Sequence, residues 1–297
     1  MASIAQSPIE SAAGVSLWAL ARGRMLRNRL MLVCGAVLGL IVLASVFASW
    51  IAPYPYEQID LRLGAIPPSG THWLGTDTLG RDLFSRCLHG GQISIAVGFV
   101  GTLVSLLIGV LYGALAGYWG GRADELMMRF VDFLYSLPYL FLVIILLVFF
   151  SNSIVMLFVA LGLVQWLTMA RIVRGQTLSL KTSEFVQAAR LAGTGSFGIL
   201  FRHLLPNMLG AIVAYGTLTV PQVILQEAFL SFLGLGVQPP RSSWGTLISD
   251  GAGVMGLFPW LVSFPAAILA AVLFSLNFLG DGLRDALDPR SRSEPRP

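Results

Sequence analysis

Six apolar stretches, separated by polar runs, organise this chain. They run from about Leu30 to Ile51, Ile93 to Tyr118, Arg122 to Phe150, Ile154 to Ala170, Met208 to Leu233 and Leu257 to Leu279. Each approaches or exceeds the roughly 20 residues that a helix needs to cross hydrocarbon, the fourth being the shortest. The pattern predicts an all-α, polytopic membrane protein with six transmembrane helices. Residues 1–29 read as a tail and interfacial helix, with Trp18, Leu20, Met25 and Leu26 set among Arg22, Arg24, Arg27 and Arg29. Residues 30–52 are the first span; a signal peptide would have a shorter apolar core nearer the N-terminus, so this reads as a retained helix. A polar loop follows over 53–92, then a five-helix core over 93–282 and a second tail over 283–297.

Within the spans, Gly109, Gly113 and Gly117 recur every four residues. Such a stripe of small residues lets a neighbouring helix approach closely. Pro138, Pro221 and Pro265 interrupt three other spans, and Pro138 frees the carbonyl of Leu134.

The polar run over 171–207 has its own helical pattern. Ser183 can cap a short helix with Glu184 in its positive first turn and Phe185, Ala188, Ala189 and Ala192 on one face. Gly193-Thr194-Gly195 reverses the chain, and Ser196 can cap a second short helix that Pro206 stops. The pattern alone fits either a knob at the membrane surface or an amphipathic turn lying on lipid.

Composition agrees with the spans and removes other classes. With 56% hydrophobic and 11% charged residues, the chain falls far below the quarter or so of charged residues usual in soluble domains. Its net charge of +4 reflects topology rather than nucleic acid. Fifteen of the 19 Lys and Arg fall on the side of the tails and of the 171–207 run; Arg62, Arg81, Arg86 and Arg241 fall on the other. That asymmetry puts both termini and the run in the cytoplasm. Cys34 and Cys87 lie far apart and suggest neither a disulfide nor a metal site.

Chemistry is sparse. His72 beside Asp77 and Asp82 has no second histidine at ligand spacing, so capping and turn roles are preferred to a metal. Asp132, three residues from Arg129, reads as a structural pair in preference to a path contact. Glu227 is either an outer-gate residue or a hydrated interfacial carboxylate. No histidine lies in a span, which argues against an intramembrane enzyme, and no repeat supports a stand-alone secondary transporter. The only lysine, Lys181, is preceded by Leu180, so the chain has no phosphate loop.

Several runs carry a resemblance. Gln187-Ala188-Ala189, Gly193 and His203-Leu204-Leu205-Pro206 resemble the EAA loop of bacterial ABC importer permeases, with Gln187 in place of a glutamate and His203 in place of an isoleucine. His72-Trp73-Leu74-Gly75-Thr76-Asp77 with Gly80-Arg81-Asp82, and Glu227 to Gly236 followed by Ser243-Trp244-Gly245, resemble signatures of the C-type permeases of peptide importers. The run Met169 to Lys181 resembles the oligopeptide members, while dipeptide, glutathione and nickel permeases share most other motifs. The resemblance implies a type I ABC importer permease fold and a non-catalytic subunit of an ATP-driven peptide importer in the bacterial inner membrane. Its implied partners are a B-type permease, two cytoplasmic ATPases that bind ATP and Mg, and an extracytoplasmic peptide-binding protein; no cofactor is implied in this chain. It also implies that the loop containing Glu184, Phe185, Gln187, Ala188, Ala189, Gly193, His203, Leu205 and Pro206 couples to the ATPases, with an outer loop over 234–256.

Overall fold

The computed structural model describes residues 28–149 and 153–287. The expected interfacial helix and first tail, the Ser151-Asn152 turn and the last residues of the second tail lie outside the described residues. Among those described, every named element is helical: α1 Arg29–Val46, α2 Ala48–Ile51, α3 Leu83–Trp119, α4 Gly121–Ser136, α5 Tyr139–Phe149, α6 Ile154–Leu180, α7 Glu184–Leu191, α8 Ser196–Phe232, α9 Trp244–Ala252 and α10 Trp260–Leu287. Five of these are long and apolar enough to cross a membrane, and the bent pair α4–α5, counted as one broken span, brings the number to six.

α3 and α6 form the centre, with α8 against α3 and α10 against α8. Their approach is set by the glycine stripe. A Cβ on Gly109 would stand 2.8 Å from the Trp166 carbonyl oxygen, and one on Gly117 would stand 2.9 Å from that of Arg174. One on Gly113 would overlap the Ala170 carbonyl. Only hydrogen at these positions lets the two backbones sit this close. Phe99, Leu103, Leu107 and Leu111 on α3 stay exposed.

Two expected boundaries move. α3 begins at Leu83, well before the expected Ile93, because Ser85, Arg86, Cys87, Gly90, Gly91 and Ser94 are buried under other elements rather than solvated in a loop. Asp82 caps it, its Oδ2 accepting from the Ser85 amide at 2.8 Å. Likewise α6 runs past Ala170 to Leu180, carrying the first part of the expected loop.

The prolines act differently from one another. Around Pro138 the chain bends by 86° between α4 and α5. Pro221 and Pro265 lie inside continuous helices. Pro206 does not stop the second limb of the hairpin, contrary to expectation. A π-helical turn over Ile199–Leu204 precedes it, and α8 runs through from Ser196 to Phe232. Proline clashes with the carbonyl four residues earlier in a regular α-helix; the wider turn relieves that clash.

Candidate functional site

The hairpin hangs from the end of α6. Lys181 donates from Nζ to the Gly117 carbonyl at 2.9 Å, pinning that end to α3. Ser183 does not cap α7 with its side chain; its hydroxyl donates back to the Leu180 carbonyl at 2.5 Å. Nor does Ser196 cap the second limb, where Gly195 occupies the cap. Gln187 donates from its amide to the Thr182 carbonyl at 3.0 Å and so closes the entry to α7. A glutamate at that position has no N–H to give.

Packing fixes the phase of α7. Val186 is buried with Ile199, Leu200 and Leu204 in a cluster that reaches Met169 and Val173 on α6 and Met208 on α8, and Ala189 is buried too. The apolar face expected from Phe185, Ala188, Ala189 and Ala192 is therefore not the packed one; of these only Ala189 is buried. Phe185 and Ala188 point outward, together with Leu191, which is 90% exposed.

The turn is a Schellman motif. Gly193 has φ +82, its amide donates to the Arg190 carbonyl and the Thr194 amide to that of Ala189, both at 3.0 Å. It delivers Phe197 and Phe201 to the surface beside α7, their rings stacked 6.4 Å apart. His203 and Leu205 are half-buried and Pro206 is exposed.

At the opposite end of the bundle, two sequence signatures interlock. Glu227 is fully buried on α8, and its Oε1 accepts from the hydroxyls of Ser231 at 2.6 Å and Ser243 at 2.7 Å. Its side chain is thus enclosed by the protein rather than exposed. Ser243 caps α9 in a reciprocal capping box with Thr246. The Trp244 amide donates to Ser94 Oγ and its indole to the Cys87 carbonyl, each at 3.0 Å. A Cβ on Gly245 would stand 2.5 Å from Ala228 Cα. The serine, tryptophan and glycine of the Ser243-Trp244-Gly245 run therefore all take part in fastening α9 to α3 and α8.

The first polar loop folds over the same end. His72 Nδ1 meets Asp82 Oδ1 at 2.9 Å, while Asp77 receives Arg81 Nε at 2.7 Å and Arg86 Nη1 at 2.6 Å. Thr76 bonds the Gly64 carbonyl at 2.7 Å. These are turn, cap and ion-pair roles.

Asp132 is not paired with Arg129, which binds Glu125 one turn away on the same helix. It accepts instead from Arg171 Nη2 of α6 at 2.7 Å. One turn further along α6, Arg174 holds Asp124 through two hydrogen bonds of 2.5 and 2.6 Å. Both cross-helix pairs escaped the sequence reading, which could weigh only partners at helical spacing.

Comparison with known proteins agrees with this architecture. Residues 109–293 match the family described as binding-protein-dependent transport system inner membrane component, and residues 16–68 match the N-terminal TM domain of oligopeptide transport permease C. The oligopeptide transport system permease protein OppC of Haemophilus influenzae is 49% identical over 94% of this chain and 90% of its own length. That of Escherichia coli K12 is 50% identical over 94% and 93%. The dipeptide transport system permease protein DppC of Bacillus subtilis is 44% identical over 91% and 84%. Among solved structures, a chain of the MetNI methionine ABC transporter in inward-facing conformations superposes with a TM-score of 0.55 at 19% identity, covering 66% of this chain and 94% of that one. The fold is thus that of a type I ABC importer permease, and the chain belongs to the family of binding-protein-dependent transport system inner membrane components.

Proposed function

We propose that this chain is one of two permease subunits that enclose the path of an ATP-driven peptide importer, with oligopeptides as its main substrates. In this reading its α6–α8 hairpin is the surface on which an ATPase subunit docks. The observation that carries the reading is the hairpin itself. A firmly capped turn leaves Phe185, Leu191, Phe197 and Phe201 exposed at one end of the bundle, with polar residues around them. Exposed apolar patches rimmed by polar residues mark protein interfaces.

The remaining parts follow from the family. A B-type permease supplies the other half of the path, two ATPases bind ATP and Mg, and an extracytoplasmic peptide-binding protein delivers substrate. This chain forms and breaks no bonds. The distribution of Lys and Arg supports placing the hairpin and both termini in the cytoplasm and the Glu227–Ser243 end outside a bacterial inner membrane.

The test pairs copurification with uptake. The chain should purify with an ATP-hydrolysing subunit, and a strain lacking the gene should regain uptake of labelled peptides on complementation. A chain that purifies without an ATPase and restores no uptake refutes the reading. Peptides of graded length separate oligopeptide from dipeptide transport, the second reading, which the Bacillus subtilis DppC relative favours.

A further inference from the structure

The charge asymmetry leaves four arginines on the outer side of the chain, and three of them, Arg81, Arg86 and Arg241, line one hollow of about 180 Å³ beside α9. Gln238, Thr246 and Asp250 add polar groups to its wall. A cleft of about 600 Å³ adjoins it, sharing Arg81, Arg86, Pro239 and Asp250 and adding apolar lining from Ile59, Leu79 and Val254. Glu57 and Ile59 in this cleft are exposed, and they lie on the loop between α2 and α3, outside the spans.

The arginines have too few partners. Asp77 Oδ2 accepts from both Arg81 Nε and Arg86 Nη1, and its Oδ1 already takes the amides of Leu79 and Arg81 at 2.9 and 3.0 Å. One saturated carboxylate thus serves two guanidinium groups. Arg86 is only 4% exposed, yet its Nε has no hydrogen-bond partner among the described residues, and its Nη2 stands 3.6 Å from Asp250 Oδ2, too far for a hydrogen bond. Asp250 is itself 61% exposed and belongs as much to solvent as to the pair. Arg241 is exposed and forms no ion pair among the described residues. A buried guanidinium with unused donors and no matching charge is costly. A carboxylate answers both needs, through two parallel N–H···O bonds.

We propose that Arg81, Arg86 and Arg241 form a carboxylate-binding hollow, and that its occupant is an aspartate or glutamate side chain of the extracytoplasmic peptide-binding protein. A cavity of about 150 Å³ admits benzene, so this hollow has room for the propionate end of a glutamate. The partner's surface around that side chain then rests on the adjoining cleft, where Ile59, Leu79 and Val254 are apolar. A charged anchor beside an apolar bed is the make-up of a protein interface, whereas a small free anion would need the charges alone. Asp250 competes for the place: it lowers the positive charge of the hollow without bonding Arg86, and an incoming carboxylate displaces it. This site rests on the importer reading above and on its orientation.

The test measures docking of the purified binding protein to the assembled importer in lipid nanodiscs over a range of salt concentrations. Arg241 is exposed and unpaired among the described residues, so Arg241→Glu should leave assembly intact. It should slow association about tenfold at low salt, with the difference closing at high salt. Asp250→Asn should act in the opposite direction and tighten docking, because it removes the competing carboxylate. If the cluster only holds the fold together, losing Asp250 weakens docking or leaves it unchanged, and either result overturns the proposal. One acidic residue of the binding protein, changed to lysine, should restore docking to the Arg241→Glu importer; if no change among its surface acids does so, the proposal falls. Two further results reassign the hollow and overturn it: loss of the second permease when Arg241→Glu is purified, or unaltered docking with a changed uptake ratio of free-acid to amidated peptide. If the unaltered importer does not bind the binding protein at all, the functional reading fails first.

Discussion

Gly193→Val tests the hairpin by its backbone alone. No heavy atom lies within 4 Å of the place a Cβ would occupy at Gly193, so an added Cβ meets open space. What valine meets is φ +82, a left-handed conformation that costs an L-residue roughly 1–2 kcal/mol, and β-branched residues adopt it least readily. If the chain relieves that strain by leaving the conformation, the Gly193 and Thr194 amides lose their bonds to Arg190 and Ala189. Those bonds contribute about 0.5–1.5 kcal/mol each. By either route the closed hairpin is disfavoured by roughly 5–30-fold relative to the open one. Six packed spans should survive this; a docking equilibrium that needs the closed form should weaken by the same factor. The assay is a series of Asn, Ala and Val at position 193, scored for membrane expression, ATPase copurification and peptide uptake. Asparagine visits the left-handed region readily, so coupling should fall in the order Gly, Asn, Ala, Val at constant expression. Full uptake by Gly193→Val, or an Asn variant as impaired as the Val one, would refute the reasoning.

Gly113→Leu should lower the melting temperature in detergent, and even Gly113→Ala should do so measurably, because the obstructing atom belongs to the Ala170 backbone and cannot rotate away; an unchanged transition would mean that α3 and α6 separate freely. Glu227→Ala removes the shared acceptor of Ser231 and Ser243 inside the bundle, a loss of about 1–3 kcal/mol for each buried hydroxyl left unpaired. Glu227→Gln keeps an oxygen there and should hold α9 in place, as read by hydrogen exchange of the 244–252 amides. Gln187→Glu restores the acid of the EAA pattern yet abolishes the donor to Thr182, so ATPase copurification should weaken slightly rather than improve; a tighter complex would show that a partner uses the carboxylate.

The spans, the left-handed turn at Gly193 and the glycine stripe were legible because each depends on local properties: length of apolar run, the conformational range of glycine, and four-residue spacing. The start of α3 was not. Ser85, Arg86, His89 and Gln92 read as loop because their polarity is local, whereas the burial around Ser85 and Arg86 comes from residues farther along the chain, such as Tyr54, Asp250 and Trp244. The α7 phase failed for a related reason. Alanine and phenylalanine suit either a packed face or a docking face, and only the position of Ile199 and Leu200 selects Val186 as the inward residue. The Asp132–Arg171 pair spans 39 positions, beyond any helical spacing rule.

The continuity of α8 changes how motion at the hairpin reaches the far end of the molecule. Were Pro206 a break, a push on the 184–204 segment would be absorbed at a joint. Instead the second limb and the helix bearing Glu227 form one 37-residue rod. Its two weak places are the π turn over Ile199–Leu204 and the missing amide at Pro221, which leaves the Thr217 carbonyl without its usual donor. At its far end Glu227 ties the rod to the cap of α9, and Trp244 ties α9 to α3. Movement of the rod relative to α3 must therefore either carry α9 along or break the Glu227–Ser243 bond. The rigid α3–α6 contact, where glycines set backbone against backbone, supplies the fixed frame against which that movement acts. On the docking proposal, displacement of the hairpin acts along this rod, and the Glu227–Ser243 bond is its link to α9.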